Sequence, residues 1–392
     1  MFKTVIVRFL LPLLCAFFMV ASSCKQSPSR QSSDANLTNL ELKPVVGGLN
    51  DQARLYAGLS LSDEYANRPE VGAILKKPAY QSHVKMMDAF WASVQKERID
   101  RIRPWREEYL GSKVTNRTAL YPLSGGDILN FTLMYPQAER YIMIAMEKRG
   151  EVVDPATLTD AQLSGSLRSV QQMLGNIART GYFFSRLMNE YMNPEQYGTF
   201  GTLPTVSIFL VRLGHTLLSV EKTCVNDNGE LYSSTAQPCR LPGYRLRFRD
   251  SDTGRHKEVI YISTKLTDKQ FDINTAEGKF FQNIGRTSVM LKAAVYLLHS
   301  PNYRNTAQYL LDNTDVVVQD DSGLPYRYFE PAKWSVDVYG AFAGPPAMSG
   351  IQYYPQPDLV KAFQVAGPLP FEFGYGQVSA SKKSGIIVAY RK

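Results

Sequence analysis

The sequence predicts an α/β fold, in which a mixed β-sheet is flanked by helices and carries a β-hairpin insertion. Apolar residues recur at helical spacing in several segments, and short, uniformly apolar runs between them are typical of buried strands. One pair of alternating segments around a turn predicts the hairpin. These patterns are mixed throughout residues 46–392 without a long low-complexity linker, so we expect a single globular domain there.

Three segments have the pattern of an amphipathic helix. Residues 82–103 carry an apolar stripe that Pro104 interrupts. Thr159 and Gln162 have the spacing of a capping box at the start of a second helix, and a third helix is predicted over about residues 280–298. Packing against a core is sufficient to explain all three stripes.

Strands are predicted from alternation and from short apolar runs. Residues 244–249 and 258–262 alternate on either side of a turn-forming Asp-Ser-Asp-Thr-Gly, which predicts a hairpin with one solvated face. Buried strands are expected at residues 119–121, 140–146, 216–220, 315–318 and 386–390.

The N-terminus has the features of an export signal that ends in a modified cysteine. Lys3 and Arg8 precede an uncharged apolar run, residues 9–21, which is too short to cross a hydrocarbon layer of ~30 Å as a helix. Small residues then lead into Cys24. This pattern resembles the lipobox of bacterial lipoproteins, which are cut before the cysteine once it has been acylated. Plain secretion is the alternative.

The lipobox resemblance implies a signal peptide, an anchor and a tether. Residues 1–23 would be the signal peptide, acylated Cys24 would hold the protein to a lipid bilayer, and residues 24–45 would form a flexible tether. Lys25 does not resemble an inner-membrane retention signal. We therefore expect a lipid-anchored location in the cell envelope, with the outer membrane facing the periplasm preferred.

Two cysteines remain after Cys15 leaves with the signal peptide and Cys24 takes the lipid: Cys224 and Cys239. In an oxidising compartment we expect a disulfide, which for so short a loop stabilises by ~3 kcal/mol in the chain-entropy model. A metal pair is the less favoured alternative. No second Cys or His pair lies at ligand spacing, so no metal site is predicted.

The charge balance argues against a nucleic-acid partner. The formal net charge is +8, and it falls to +6 without residues 1–23 because Lys3 and Arg8 leave with them (8 − 2 = 6). No Lys/Arg cluster is dense enough to suggest nucleic acid. The mild basic excess suits an anionic membrane surface or an acidic glycan.

The first candidate site is the small-residue turn 121–127, with Ser124, Gly125 and Asp127 as the residues of interest. It follows a predicted strand and precedes a helix, where free backbone N–H groups can hold an anion and where α/β sheets place ligands. Glu147, about 20 residues downstream, invites a nucleoside hypothesis. No G-x-G-x-x-G or Walker lysine supports that hypothesis, so the cofactor stays unknown. A purely structural tight turn is the simpler explanation.

The second candidate site is the segment 319–329, which contains Asp320, Asp321 and Arg327. Adjacent carboxylates can bind a cation or divide into an acid and a base, and Arg327 could orient an anion. Asp-Ser-Gly is also an ordinary hairpin turn. Whether this segment faces residues 121–127 depends on whether their strands are neighbours.

Four aromatic residues nearby are candidates for stacking on a sugar. Rings in a proline-rich stretch can form such a platform, although rings that cover the core beneath a long loop are the commoner arrangement. The four are Tyr326, Tyr328, Trp334 and Tyr339.

These same segments carry a family resemblance. Residues 121–127, residues 320–329, Trp334 and the pair Tyr339–Gly340 resemble a family of uncharacterised secreted or lipidated bacterial proteins. The resemblance implies a shared fold. It carries no assigned activity, so it transfers no functional residue.

Three functional hypotheses remain open from the sequence. The first is a membrane-anchored envelope lipoprotein that binds a glycan or another small ligand. The second is a carboxylate-dependent hydrolase or lyase that uses Asp127, Asp320 and Asp321. The third is a scaffold or assembly protein that binds another envelope protein through the loop 224–239 or the hairpin.

Overall fold

The structure is a computed structural model that describes the chain in several stretches. They are residues 43–180, 201–233, 239–346, 352–376, 381 and 383–392, with side chains as far as residue 175 in the first stretch. The expected signal peptide, Cys24 and nearly all of the expected tether lie outside the described residues. Within those stretches, no helix combines the length and the apolar character needed to span a bilayer.

Ten strands of the described chain form one sheet. They are β1 (Thr118–Pro122), β2 (Arg140–Ala145), β3 (Thr216–Val225), β4 (Leu231–Ser233), β5 (Leu241–Arg249), β6 (His256–Ser263), β7 (Thr287–Leu291), β8 (Thr314–Gln319), β9 (Trp334–Gly340) and β10 (Gly385–Arg391). Their order across the sheet is β4-β3-β5-β6-β2-β1-β7-β8-β10-β9.

The five central strands are parallel, and both edges of the sheet are antiparallel. The parallel block is β6-β2-β1-β7-β8. Numbered by chain order among themselves, these strands run 3-2-1-4-5, which is the order of a doubly wound sheet. β5, β3 and β4 extend one edge, and β10 and β9 extend the other. The predicted mixed α/β sheet with a hairpin is therefore confirmed.

Helices cover the sheet on both faces. They are α1 (Leu49–Tyr56), α2 (Asp63–Ala66), α3 (Pro69–Leu75), α4 (Pro78–Val94), α5 (Asp100–Tyr109), α6 (Ile128–Met134), α7 (Asp160–Thr180), α8 (Thr202–Arg212), α9 (Ala276–Ile284), α10 (Arg304–Asn313) and α11 (Pro357–Ala362). A π-helical segment, Gln95–Ile99, joins α4 to α5, and the helix then continues through Pro104 rather than ending before it.

The faces on which the crossover helices pack show where the chain reverses its winding. Tyr121 of β1 packs in the layer that contains Phe131 of α6. Its neighbour Leu120 packs on the opposite face with Phe281 of α9 and Leu310 of α10, because successive side chains of a strand point to opposite faces. The crossover on the first face joins β1 to β2, and those on the second face lead into β7 and β8. The winding thus reverses between β1 and β7, which places a topological switch point at the carboxyl ends of these strands.

Local patterns predicted from sequence are confirmed where they depend on near neighbours. The Thr159 backbone N–H donates to Gln162 Oε1 at 3.0 Å, and the Gln162 N–H donates to Thr159 Oγ1 at 3.3 Å, which is the reciprocal bonding of a capping box. β5 and β6 pair as the predicted hairpin. The five predicted buried strands overlap β1, β2, β3, β8 and β10.

The predicted helix over residues 280–298 is wrong. α9 ends at Ile284, and Gly285 follows with φ +76 and ψ −154, a backbone conformation that is essentially restricted to glycine and cannot continue the helix. The chain then forms β7, in which every residue is buried. Ile284, Leu291 and Leu298 recur at intervals of seven and imitate a helical stripe, whereas β7 is apolar because both of its faces are covered.

The predicted disulfide between Cys224 and Cys239 is present in the structure. Cys224 of β3 and Cys239 are joined by a disulfide with their Cα atoms 5.8 Å apart. The bond ties β3 to the segment that leads into β5, at the antiparallel edge of the sheet and away from the switch point.

Candidate functional site

Three loops meet at the switch point, following β1, β7 and β8. They comprise residues 123–127, 292–296 and 320–324. The middle loop bonds to the other two: Lys292 pairs with Asp127, and the backbone N–H of Ala293 donates to Asp320. The structure therefore brings the two segments singled out from sequence together, through a loop that lies inside the wrongly predicted helix.

Asp127 begins α6 and forms a buried ion pair. Its Oδ1 atom accepts hydrogen bonds from Asn130, at 3.3 Å from the backbone N–H and 2.8 Å from the side-chain amide. Its Oδ2 atom lies 2.6 Å from Lys292 Nζ and also accepts a bond from the Tyr121 hydroxyl at 3.4 Å. The Asp127 carboxylate thus occupies the start of the helix with negative charge, so this turn is not arranged to hold an anion.

Lys292 is a lysine whose side chain has no exposed surface. Burial lowers the pKa of Lys292, and the neighbouring Asp127 carboxylate acts in the opposite direction. The ammonium group lies 5.8 Å from the centre of the Phe373 ring. A charged group in such a place is retained only with close partners, since transfer from water to the interior is costly.

Asp320 is held by the loop that follows β7 and by its own turn. Its carboxylate accepts bonds from Ala293 N at 2.8 Å, from Ser322 N at 3.0 Å and from Ser322 Oγ at 2.6 Å. Burial raises the pKa of Asp320, and these bonds offset part of the effect. Gly374 packs directly on the carboxylate: it has φ +64, and a Cβ atom there would lie 2.1 Å from Asp320 Oδ2.

Asp321 lies next to Asp320 in the chain and is held by two hydrogen bonds. Its Oδ2 atom accepts a hydrogen bond from the Tyr296 hydroxyl and another from the Gly344 N–H at 3.1 Å. Burial, followed by the charge of Asp320, raises the pKa of Asp321 to about 7. A carboxyl group with this pKa exists in both protonation states at neutral pH.

Backbone strain is concentrated in the same loops. In the described part of the chain, the non-glycine residues with positive φ are Leu123 (62°), Ala293 (53°), Val295 (55°) and Tyr296 (54°). The first lies in the loop after β1, and the other three lie in the loop after β7. Conformations of this kind cost about 1–3 kcal/mol each and cluster at functional sites. Their placement marks the switch point independently of its charges.

The other residues proposed for the first two sites lie at the edges of this cluster. Ser124 is buried, and its hydroxyl donates to the carbonyls of Gly125 at 3.2 Å and Ile144 at 3.4 Å. Gly125 has φ +55 in the turn. Arg327 is exposed, with its guanidinium 5.2 Å from the centre of the Tyr328 ring.

The four candidate stacking rings do not share one surface. Trp334 is 3% exposed and packs in the layer with Phe329, whereas Tyr339 is 6% exposed and packs on Trp105 on the opposite face of the sheet. Tyr326 and Tyr328 are half-buried in a short 3₁₀ turn. The structure therefore does not bring the four rings together in one exposed platform.

Several residues of the site could not be found by motif reasoning. Lys292 and Tyr296 lie in residues 280–298, where the sequence predicts a helix and therefore no strand end that could carry a ligand site. A lysine directly after an uninterrupted apolar run was the available signal, because a charged residue commonly marks the end of a buried strand.

Glu147, which follows β2, is buried, and its Oε1 atom has no hydrogen-bond partner among the described residues.

The fold and the site define a doubly wound α/β protein with a buried polar cluster at its switch point. No family model matches the chain, and no curated protein or solved structure matches it either. Among the residues that the structure describes, no group of three or more His, Cys, Asp or Glu side chains is placed to hold a metal ion.

Proposed function

We propose that this protein is a lipid-anchored envelope protein that binds a small polar ligand, such as a glycan, at the switch point. We define the switch-point site as Asp127, Lys292, Tyr296, Asp320 and Asp321. Open α/β sheets bind ligands outside the carboxyl ends of their strands where the winding reverses, and all five residues follow strands that end there.

The main support for the proposal is that backbone strain and buried charged side chains occur in the same loops. Four left-handed non-glycine residues occupy the loops after β1 and β7, the loops that hold Asp127 and Lys292. A fold that needed only a stable core would place neither feature there, because both lower its stability. Carboxylates and a tyrosine hydroxyl are also the partners that a polyhydroxylated ligand uses.

A second candidate function is acid–base catalysis, as in a hydrolase or lyase. The observation that favours it is the pKa of Asp321, which burial and the charge of Asp320 raise to about 7. A group with this pKa can donate a proton and, once ionised, accept one at neutral pH. In this mechanism Asp321 would exchange the proton, and Tyr296 would orient its carboxyl group through their hydrogen bond.

Thermal unfolding with a ligand panel tests the binding proposal. We expect at least one class among neutral sugars, uronic acids, amino sugars and nucleosides to raise the Tm of the wild-type chain. A ligand at 100 times its Kd stabilises by about 2.7 kcal/mol. Asp321→Asn should lose this stabilisation, and Asp312→Asn, a change at an exposed aspartate of α10, should keep it. Equal stabilisation of the Asp321→Asn variant would place binding elsewhere.

Metabolic labelling tests the anchor, for which the support is the signal-like N-terminus. Cells that express the full chain are fed a clickable fatty acid, and we expect label on the wild-type protein and none on Cys24→Ser. Two acyl chains hold a protein firmly to a bilayer, so the wild type should sediment with membranes. Unlabelled, released protein that still bears Met1 would contradict the anchor.

A further inference from the structure

The five residues of the switch-point site are closed off from solvent in this structure. Each of them is at most 2% exposed. A polar ligand the size of a sugar cannot contact side chains that are buried to this extent, so it can bind only after a covering segment has moved. The segment that covers the site therefore controls the entry of the ligand.

Residues 371–376 lie across the loops that follow β7 and β8, and we call this segment the strap. The centre of the Phe373 ring lies 5.8 Å from the Lys292 ammonium group. Gly374 packs directly on Asp320, and a Cβ atom at this glycine would lie 2.1 Å from the carboxylate. The strap thus covers one cation and one carboxylate of the site.

The strap also occupies a backbone donor of the strained loop after β7. Val295 has φ +55, and its N–H donates to the Tyr375 hydroxyl at 3.0 Å. Backbone N–H groups in folded proteins are nearly always paired. If Tyr375 is displaced, this N–H therefore needs another acceptor, and a hydroxyl oxygen of a ligand can replace that of the tyrosine.

The loop that bears the strap begins and ends beside one residue of the sheet. Gly367 lies before it, and its carbonyl accepts the Gly340 N–H at 2.8 Å. Gly385 lies after it and pairs with Gly340 across β10 and β9. Because residues 368–384 connect these two fixed points, the loop can swing without breaking the pairing of the sheet. Connections of this length are often functional, for example as lids over a site.

Few hydrogen bonds among the described residues hold the strap in place. In that part of the chain, no backbone-to-backbone hydrogen bond joins residues 368–374 to a helix or strand. The Ser384 hydroxyl accepts from the Phe373 N–H at 3.1 Å and donates to its carbonyl at 3.0 Å. The Arg98 guanidinium donates to the Glu372 carbonyl at 3.5 Å. Segments with few such bonds open locally at a lower free energy than the core.

We propose that residues 371–376 act as a lid over the switch-point site, so that the ligand binds only when this strap swings away. Opening the strap exposes the Val295 N–H and one side of the Asp320 carboxylate to hydroxyl groups of the ligand. The inference rests on the proposed function, because it describes how a ligand reaches that same site.

Hydrogen exchange of full-length protein with isotope-labelled valine tests the opening of the strap without a ligand. The Val295 N–H is bonded to the strap, whereas Val289 lies in β7 between β1 and β8. We expect the Val295 amide to exchange at least about tenfold faster than that of Val289, at a rate that dilute urea leaves unchanged. Exchange at Val289 should accelerate with urea, because it requires global unfolding.

Two serine variants assign the exchange to the strap. Ser384→Ala removes both bonds to Phe373, so it should accelerate exchange at Val295 about tenfold. Ser251→Ala removes an exposed hydroxyl from the turn between β5 and β6 and should leave that rate unchanged. Slow exchange at Val289 shows that each variant is folded.

Two outcomes would overturn the strap. The first is exchange at Val295 with the same rate and urea dependence as at Val289, because the strap would then open only when the whole protein unfolds. The second is exchange at Val295 that Ser384→Ala does not accelerate, because the loop after β7 would then move independently of the strap.

These results are separable from those for the proposed function. Fast exchange at Val295 that depends on Ser384, in the absence of any panel ligand that depends on Asp321, would support the strap and remove the wider proposal. An Asp321-dependent ligand together with exchange at Val295 only through global unfolding would do the reverse.

Discussion

The Lys292–Asp127 pair is the most demanding contact in the site, because both side chains are almost completely buried. Each charge loses its hydration, and the pair is maintained by the short contact between them and by the bonds that Asp127 accepts from Tyr121 and Asn130. Replacing one partner leaves the other charge buried without compensation. The stability of the protein should therefore be sensitive to these two residues together.

Lys292→Met is expected to destabilise the protein by about 3–5 kcal/mol, because it leaves the Asp127 carboxylate unpaired. Urea unfolding of the wild type and the variant measures the difference. Asp127→Asn combined with Lys292→Met should recover most of the loss, since Asn can still cap α6. A double variant as unstable as Lys292→Met alone would contradict this account of the pair.

Gly374 tests the close packing of the Asp320 carboxylate. Gly374→Ala should destabilise more than Gly254→Ala, although the two glycines have φ +64 and +68. An added Cβ at residue 374 meets Asp320, whereas the space at residue 254 is open. The control should lose only about 1 kcal/mol, from backbone conformation. Equal losses in thermal unfolding would show that the contact with Asp320 is unimportant.

At the scale of elements, the sequence correctly predicts those features that depend on residues close together in the chain. The capping box at Thr159, the hairpin and the five strands all follow from local patterns, which their periodicity identifies. The strand β7 was missed because its apolar residues fit a helical stripe as well as a buried strand. What makes residues 287–291 a strand is pairing with β1 and β8, whose partners are distant in the chain.

The packing of three helices depends on a neutral histidine. His83 of α4 lies within hydrogen-bond distance of the Tyr56 carbonyl of α1 at 2.8 Å and of Gln171 Nε2 of α7 at 3.0 Å. Burial lowers the pKa of His83 from 6.5 to about 4. The pKa of His83 is lower in the folded state than in the unfolded state. The stabilisation that neutral His83 contributes to the free energy of unfolding is therefore complete above pH 6.5 and is lost as pH falls toward 4.

We expect the free energy of unfolding to decrease by about 3 kcal/mol from His83 alone over this acid range. His83→Gln, which cannot titrate, should flatten the pH dependence by that amount in urea unfolding. Asp321 acts in the opposite sense. Because its pKa is raised in the folded state, its contribution to the free energy of unfolding decreases as pH rises from 3.8 to about 7. A pH profile identical in wild type and His83→Gln would contradict the assignment.

At the scale of the whole molecule, the strand order explains why two sequence-predicted segments form one site. β1 and β8 both flank β7, so the loops after them can each bond to the loop that contains Lys292 and Ala293. Sequence could locate Asp127 and Asp320 as strand-end residues. It could not show that they share a neighbour, because that depends on long-range pairing.

A crystal structure of the complex with the tightest ligand from the panel tests the central claim most directly. We expect the ligand at the carboxyl ends of β1, β7 and β8, with a polar atom within hydrogen-bond distance of Asp321 or Tyr296. A ligand bound at another surface, with the loops after β1 and β7 unchanged, would contradict the account.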